Sequence, residues 1–118
     1  MLTGAERYHS GLAAESAVER LYSRKGHAIA ARRWRGQGGE IDLIARQDDE
    51  VIFIEVKKSR SFARAAEALR PRQISRLFSA ASEFLAGEPA GQGTNCRFDV
   101  ALVDGAGRIE IIENALMA

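Results

Sequence analysis

The segment GEIDLIARQDDEVIFIEVKK, Gly39 to Lys58, decides how this chain folds. Glu40 to Arg46 and Val51 to Lys58 are both rich in aliphatic and β-branched residues. The connector Gln47-Asp48-Asp49-Glu50 is short and polar, so the two runs read as an antiparallel hairpin. A loop symmetric about Asp48 and Asp49 sets Gln47 against Glu50, and every facing pair then sums to 97. On that register Asp42 faces Glu55 and Glu40 faces Lys57, and strand alternation puts all four on one face. Facing side chains in an antiparallel pair have Cβ atoms only about 4.5 to 5.5 Å apart, so two carboxylates repel unless a positive group lies between them. A divalent cation resolves that conflict. Magnesium, which takes carboxylate, carbonyl and water oxygens, suits two acids at the open end of a hairpin.

Within the second strand Val51 and Phe53 share the face of Glu55, while Ile52, Ile54 and Val56 fill the other. A strand apolar on both faces is a buried strand. A glutamate and a lysine at its end are costly unless paired or ligand-bound. Two readings stand at this point: a metal between Asp42 and Glu55, or Glu55 bridged to Lys57 or an arginine with Asp42 bonded to the turn.

Before the hairpin, Thr3 and Glu6 have the spacing of a capping box, and an apolar stripe through Leu12, Val18, Leu21 and Tyr22 predicts a helix stopped at Gly26. Glu15 lies on the face of Gly11, Val18 and Tyr22 and needs a partner there, either a core-edge arginine or the metal site. His27 to Arg35 reads as a strand ended by the flexible run Gly36 to Gly39. After the hairpin, Ile74, Leu77, Phe78, Ala81, Phe84 and Leu85 recur at helical spacing, with Pro71 in the first turn and Gly87 at the stop. Arg97 to Val103 and Arg108 to Glu113 are strands about a turn at Asp104 to Gly107. The expected fold is α/β, a central mixed sheet flanked by helices, in the order α-β-β-β-α-β-β.

At 118 residues, 46% hydrophobic and 28% charged, the chain reads as one globular domain, residues 1–118. Its single cysteine, Cys96, leaves no intramolecular disulfide or cysteine-rich zinc site. Met1 to Tyr8 holds no apolar run of signal-peptide length, and no stretch reaches the roughly twenty apolar residues of a membrane span, so the expectation is a cytoplasmic protein. The net charge of +1 announces no polyanionic partner, but seven basic residues lie between Lys57 and Arg76 against one acid, Glu67. Arg70, Arg72 and Arg76 fall in or near the first turns of a helix, where the macrodipole disfavours cations. An anion there relieves the conflict, as do Glu67, Glu83 or solvent. His9 and His27 lack a neighbouring nucleophile or ligand, Cys96 and Trp34 read as packing residues, and Asp99 reads as a structural acid tied to Arg97 or a helix end.

The runs Gly39-Glu40-Ile41-Asp42-Leu43-Ile44 and Val51-Ile52-Phe53-Ile54-Glu55-Val56-Lys57 resemble the PD-(D/E)xK motif of restriction endonuclease-like folds. With Gly11 and Glu15, the Leu77 to Leu85 helix, Arg97-Phe98-Asp99-Val100 and Glu113-Asn114-Ala115, nearly the whole chain is similar to the YraN family of predicted endonucleases, distantly similar to Holliday-junction resolvases. The resemblance implies that Asp42 and Glu55 ligate Mg2+, or Mn2+ in its place, with the carbonyl of Val56. It further implies that Lys57 polarises the attacking water, and that Glu15 and Glu40 extend the acidic site. The substrate it implies is DNA, branched or otherwise structured, met by Arg70, Arg72, Gln73 and Arg76. Ile41 replaces the motif's proline, and Gln73 stands where many relatives carry lysine, leaving one fewer cation for phosphate. The rival expectation is a weak or inactive nucleic-acid- or protein-binding module that retains the fold. A third expectation is that a sheet edge serves mainly to dimerise, and a homodimer also suits the enzymatic role.

Overall fold

The computed structural model describes residues 3–116, apart from the side chains of residues 7–9, so the expectation for His9 and the outermost ends of the single-domain reading lie outside the described residues. Helix α1 (Gly4–Arg24) is followed by strands β1 (Ala28–Arg35), β2 (Glu40–Gln47) and β3 (Glu50–Lys58), helices α2 (Phe62–Glu67) and α3 (Pro71–Leu85), and strands β4 (Cys96–Val103) and β5 (Ile109–Ile112). A 3-10 turn, Gly91–Gly93, lies between α3 and β4. The strands form one five-stranded sheet in the order β1-β2-β3-β4-β5, with β3 and β4 parallel and the other neighbours antiparallel. A parallel pair needs a crossover, and α2 and α3 supply it.

The capping box forms as the sequence predicts: Thr3 Oγ1 accepts from Glu6 N–H, and Glu6 Oε2 accepts from Thr3 N–H, each at 3.1 Å. Gly26, at φ +92°, takes the left-handed turn beyond the helix. Helix α3 spans the predicted residues, starting at Pro71. Helix α2 was not expected. Its six residues show no helical period, but Ser61 Oγ accepts from Arg64 N–H at 3.2 Å and Ala65 is buried against Val100 and Leu102.

The two main helices cover opposite faces of the sheet. On one face Ala14, Val18 and Tyr22 of α1 pack on Leu43, Ala45, Ile52, Ile54, Ala101 and Val103. On the other, Leu77, Ala80, Ala81 and Leu85 of α3 pack on Ile41, Ile44, Val51 and Phe53. Strand β3 is buried on both sides from Val51 to Glu55, and each large apolar side chain withdrawn there contributes about 1.5–3 kcal/mol. Trp34 packs edge-on against Phe84, the core role expected of it. Asp99, 1% exposed, accepts from the Tyr22 hydroxyl at 2.7 Å, from Arg97 Nε at 3.0 Å and from Asn114 N–H at 3.0 Å. It therefore ties α1, β4 and the end of the chain together, a structural acid. No helix among the described residues is long and apolar enough to cross a membrane.

Candidate functional site

The hairpin closes on the predicted register, from Gln47 opposite Glu50 to Leu43 opposite Ile54. The ladder stops there, one step short of Asp42 and Glu55. Asp42 turns its carboxylate onto the backbone of the neighbouring strand instead, where Oδ2 accepts from Val56 N–H at 2.8 Å. Alternation also slips in β2, because Ile41 and Ile44, three residues apart, both pack in the α3 layer. The expectation that Asp42 pairs with Glu55 and Glu40 with Lys57 as ladder partners is therefore corrected, although the Asp42 and Glu55 side chains still meet. The strands part at Asp42, and a side-chain bond replaces the ladder bond.

The acids nevertheless meet. Glu55, 5% exposed, accepts from the Gln73 amide at Oε2 and lies 3.3 Å from Lys57 Nζ. Burial, followed by the charge of Asp42, pushes its carboxyl up to about 9, against the opposing pull of Lys57. Asp42 is thus close enough to Glu55 to change its protonation, and one ammonium does not compensate the two acids. Val56 stands between Glu55 and Lys57, its N–H engaged by Asp42.

Glu15 is fixed by Arg33, with Nε to Oε1 at 3.0 Å and Nη2 to Oε2 at 3.2 Å, so the arginine reading of the sequence describes this contact. Its carboxyl is raised by burial, lowered by Arg33, and raised again by Asp42 and Glu40, which places all three acids in one field. Glu40 pairs with Arg35 at 2.8 Å and opposes it across β1 and β2; it does not face Lys57. Its neighbours include a cavity of about 390 Å³ lined by Gly39, Glu40, Arg70, Arg72, Gln73, Arg76 and Leu77. The structure thus brings the predicted Arg70, Arg72, Gln73 and Arg76 together beside Glu40, and Gln73 links that cavity to Glu55.

Two features of the site were not legible in the sequence. Gln73, read as a missing cation, is a hydrogen-bond donor to Glu55, and only the packing of α3 over β3 reveals it. Glu83, read as a counter-charge for the arginines, accepts from Gln37 N–H at 2.8 Å and Gly38 N–H at 2.9 Å, and so fastens the glycine loop to α3. The Gly38, Gly39 contact with α3 is tight enough that a Cβ on Gly39 would lie 3.0 Å from the Arg76 carbonyl. Cys96 is exposed, and partial burial of its thiol followed by Glu50 raises its pKa, which disfavours the thiolate.

As a metal site, the donor set is sparse. Among the described residues no three histidine, cysteine, aspartate or glutamate side chains gather as a cage. The residues that could hold a hard cation are Asp42, Glu55 and a backbone carbonyl, with water completing its shell.

The family model described as Uncharacterised protein family UPF0102 matches residues 14–103. A UPF0102 protein of Cereibacter sphaeroides strain KD131 is 64% identical over 117 residues, 99% of this chain and 100% of the relative. One from Ruegeria pomeroyi strain DSS-3 is 62% identical over 112 residues, covering 95% and 91%. A UPF0102 protein of Dinoroseobacter shibae is 46% identical over 114 residues, covering 97% and 85%.

Proposed function

We propose that this chain, which belongs to the uncharacterised protein family UPF0102, the YraN-like group, is a metal-dependent endonuclease that hydrolyses phosphodiester bonds in DNA, with branched or structured DNA as its substrate. The observation that carries the reading is Glu55: an acid withdrawn from water at the end of a central strand, its pKa raised by burial and by Asp42, with a lysine 3.3 Å away. A purely structural carboxylate gains nothing from a second acid beside it.

In this reading Asp42, Glu55 and the Val56 carbonyl hold Mg2+, for which Mn2+ substitutes. When bound, the cation stabilises charge growing on the scissile phosphate and lowers the pKa of a water. Lys57 orients that water by donating from Nζ, on a strand end held rigid by its pairing with β4. Gln73 keeps the Glu55 carboxylate oriented by donating its amide. Arg70, Arg72 and Arg76 hold phosphates of the substrate at the first turns of α3, and Glu15 and Glu40 set the charge of the acidic field.

The test is cleavage of a four-way or flapped DNA with Mg2+, with and without EDTA. Asp42→Asn and Lys57→Ala are expected to abolish cutting while leaving the protein folded, as read by circular dichroism. Either variant cutting at the wild-type rate removes the proposal. The second reading, a nucleic-acid- or protein-binding module without turnover, is favoured by one contact: Gln73 already occupies Glu55 where a cation would serve catalysis. It predicts DNA binding that EDTA does not change and no cleavage under any metal.

A further inference from the structure

Strand β1 breaks its own alternation at Arg33. Arg32 and Arg33 are consecutive, yet both reach α1: Arg32 pairs with Glu19 at 2.6 Å and Arg33 with Glu15 at 3.0 Å, and the two glutamates lie one helical turn apart. The flanking Ala31 and Trp34 both pack against the α3 layer on the opposite side. An ideal strand cannot place two successive side chains on one face. Arg33 does so by adopting φ +47°, the left-handed region that a non-glycine residue rarely takes. Its place in the sheet matters. Arg32 is opposite Leu43 and Trp34 is opposite Ile41, so Arg33 lies across from Asp42, at the point where β2 shows the matching slip between Ile41 and Ile44.

We propose that Arg33 is a positioning residue for the acid pair: its bidentate grip holds the Glu15 carboxylate away from Asp42 and limits a bound divalent cation to two carboxylates. The inference rests on the metal-site reading above and specifies how that site is tuned. A two-carboxylate site with a largely watery shell binds its cation weakly and exchangeably, as suits Mg2+; a third carboxylate raises charge count and affinity. The guanidinium fork matches both oxygens of Glu15, so the contact fixes direction as well as charge.

The experiment is Mn2+ binding, followed by the electron paramagnetic resonance of the free ion, in wild type, Arg33→Gly, Arg33→Gly/Glu15→Gln and Arg32→Ala. Glycine accepts φ +47° without strain, so Arg33→Gly removes the guanidinium while keeping the backbone. Affinity is expected to rise on the order of tenfold in Arg33→Gly, as Glu15 joins the site. It is expected to return to the wild-type value when Glu15→Gln is added. Arg32→Ala, which removes an equal charge from the neighbouring residue, is expected to change affinity less than about twofold at physiological salt. Wild-type binding that Arg33→Gly leaves unchanged or weakens overturns the inference and leaves the metal site standing, as does a gain in Arg33→Gly that Glu15→Gln fails to reverse. A wild-type protein and an Arg33→Gly variant that both bind no Mn2+ remove the metal reading and this inference with it.

Discussion

At Glu55, burial and the Asp42 charge act in the same direction, so the residue couples stability to pH. Its carboxyl lies near 4.5 in an unfolded chain and is pushed up to about 9 in the fold. Between those values the native state binds the extra proton, and stability is therefore fully present below about 4.5 and is lost as pH climbs towards 9. The expected outcome is a thermal midpoint, measured without metal, that declines across this window. Glu55→Gln should flatten the decline and raise the midpoint above wild type at pH 8. Asp42→Asn should shift the midpoint of the decline downward in pH, because Asp42 is the second cause of the shift. Mg2+ should restore the wild type more at pH 8 than at pH 6. Asp99 offers a contrast, since its oxygens are satisfied by Tyr22, Arg97 and Asn114. Tyr22→Phe removes one of these bonds and should cost about 1–3 kcal/mol in urea unfolding. Asp99→Ala removes the buried acceptor shared by Tyr22, Arg97 and Asn114, although Arg97 keeps Glu50 and Glu113, and should cost about 3–5 kcal/mol.

The elements around the site are joined by few contacts of high consequence. The loop from Arg35 to Glu40 is held to α3 by the Glu83 carboxylate, whose pKa is lowered by the N–H of Gly38 and then that of Gln37. A depressed carboxyl contributes while ionised. Amide-exchange protection at Gln37 and Gly38 should therefore be present above the ordinary carboxylate range and fade as pH falls through the lowered value, and Glu83→Gln should weaken it at neutral pH and remove its pH dependence. A side chain at Gly39 meets backbone, which has no rotamer to yield. Gly39→Ala should cost about 1–3 kcal/mol and displace the loop from Arg76, seen as lost protection at Gln37 and Gly38.

Over the whole molecule a net charge of +1 provides no general pull on nucleic acid, so the proposed DNA contact rests on the arginines gathered at α3. If Arg70, Arg72 and Arg76 each meet a phosphate, the slope of log K against log salt on duplex DNA should be about −3, and Arg72→Ala/Arg76→Ala should reduce it to about −1. Fluorescence anisotropy over a salt series measures both. The open sheet has its edges at β1 and β5, the surfaces available for the homodimer expected from the sequence; light scattering at micromolar concentration tests it.

The hairpin register, the buried character of β3 and the span of α3 follow from the amino-acid sequence alone, because turn chemistry and side-chain period are properties of neighbouring residues. The acid pair was legible for the same reason: once the register is known, Asp42 and Glu55 are a short step apart. Tertiary structure alone decided that the ladder ends at Leu43, that Gln73 donates to Glu55, and that Arg33 abandons strand geometry to grip Glu15. Each joins residues separated by fourteen or more positions, and the Arg33 contact also departs from the local backbone preference to pair a half-buried acid. Their energies come from burial and Coulomb interaction between packed layers, which no local pattern encodes.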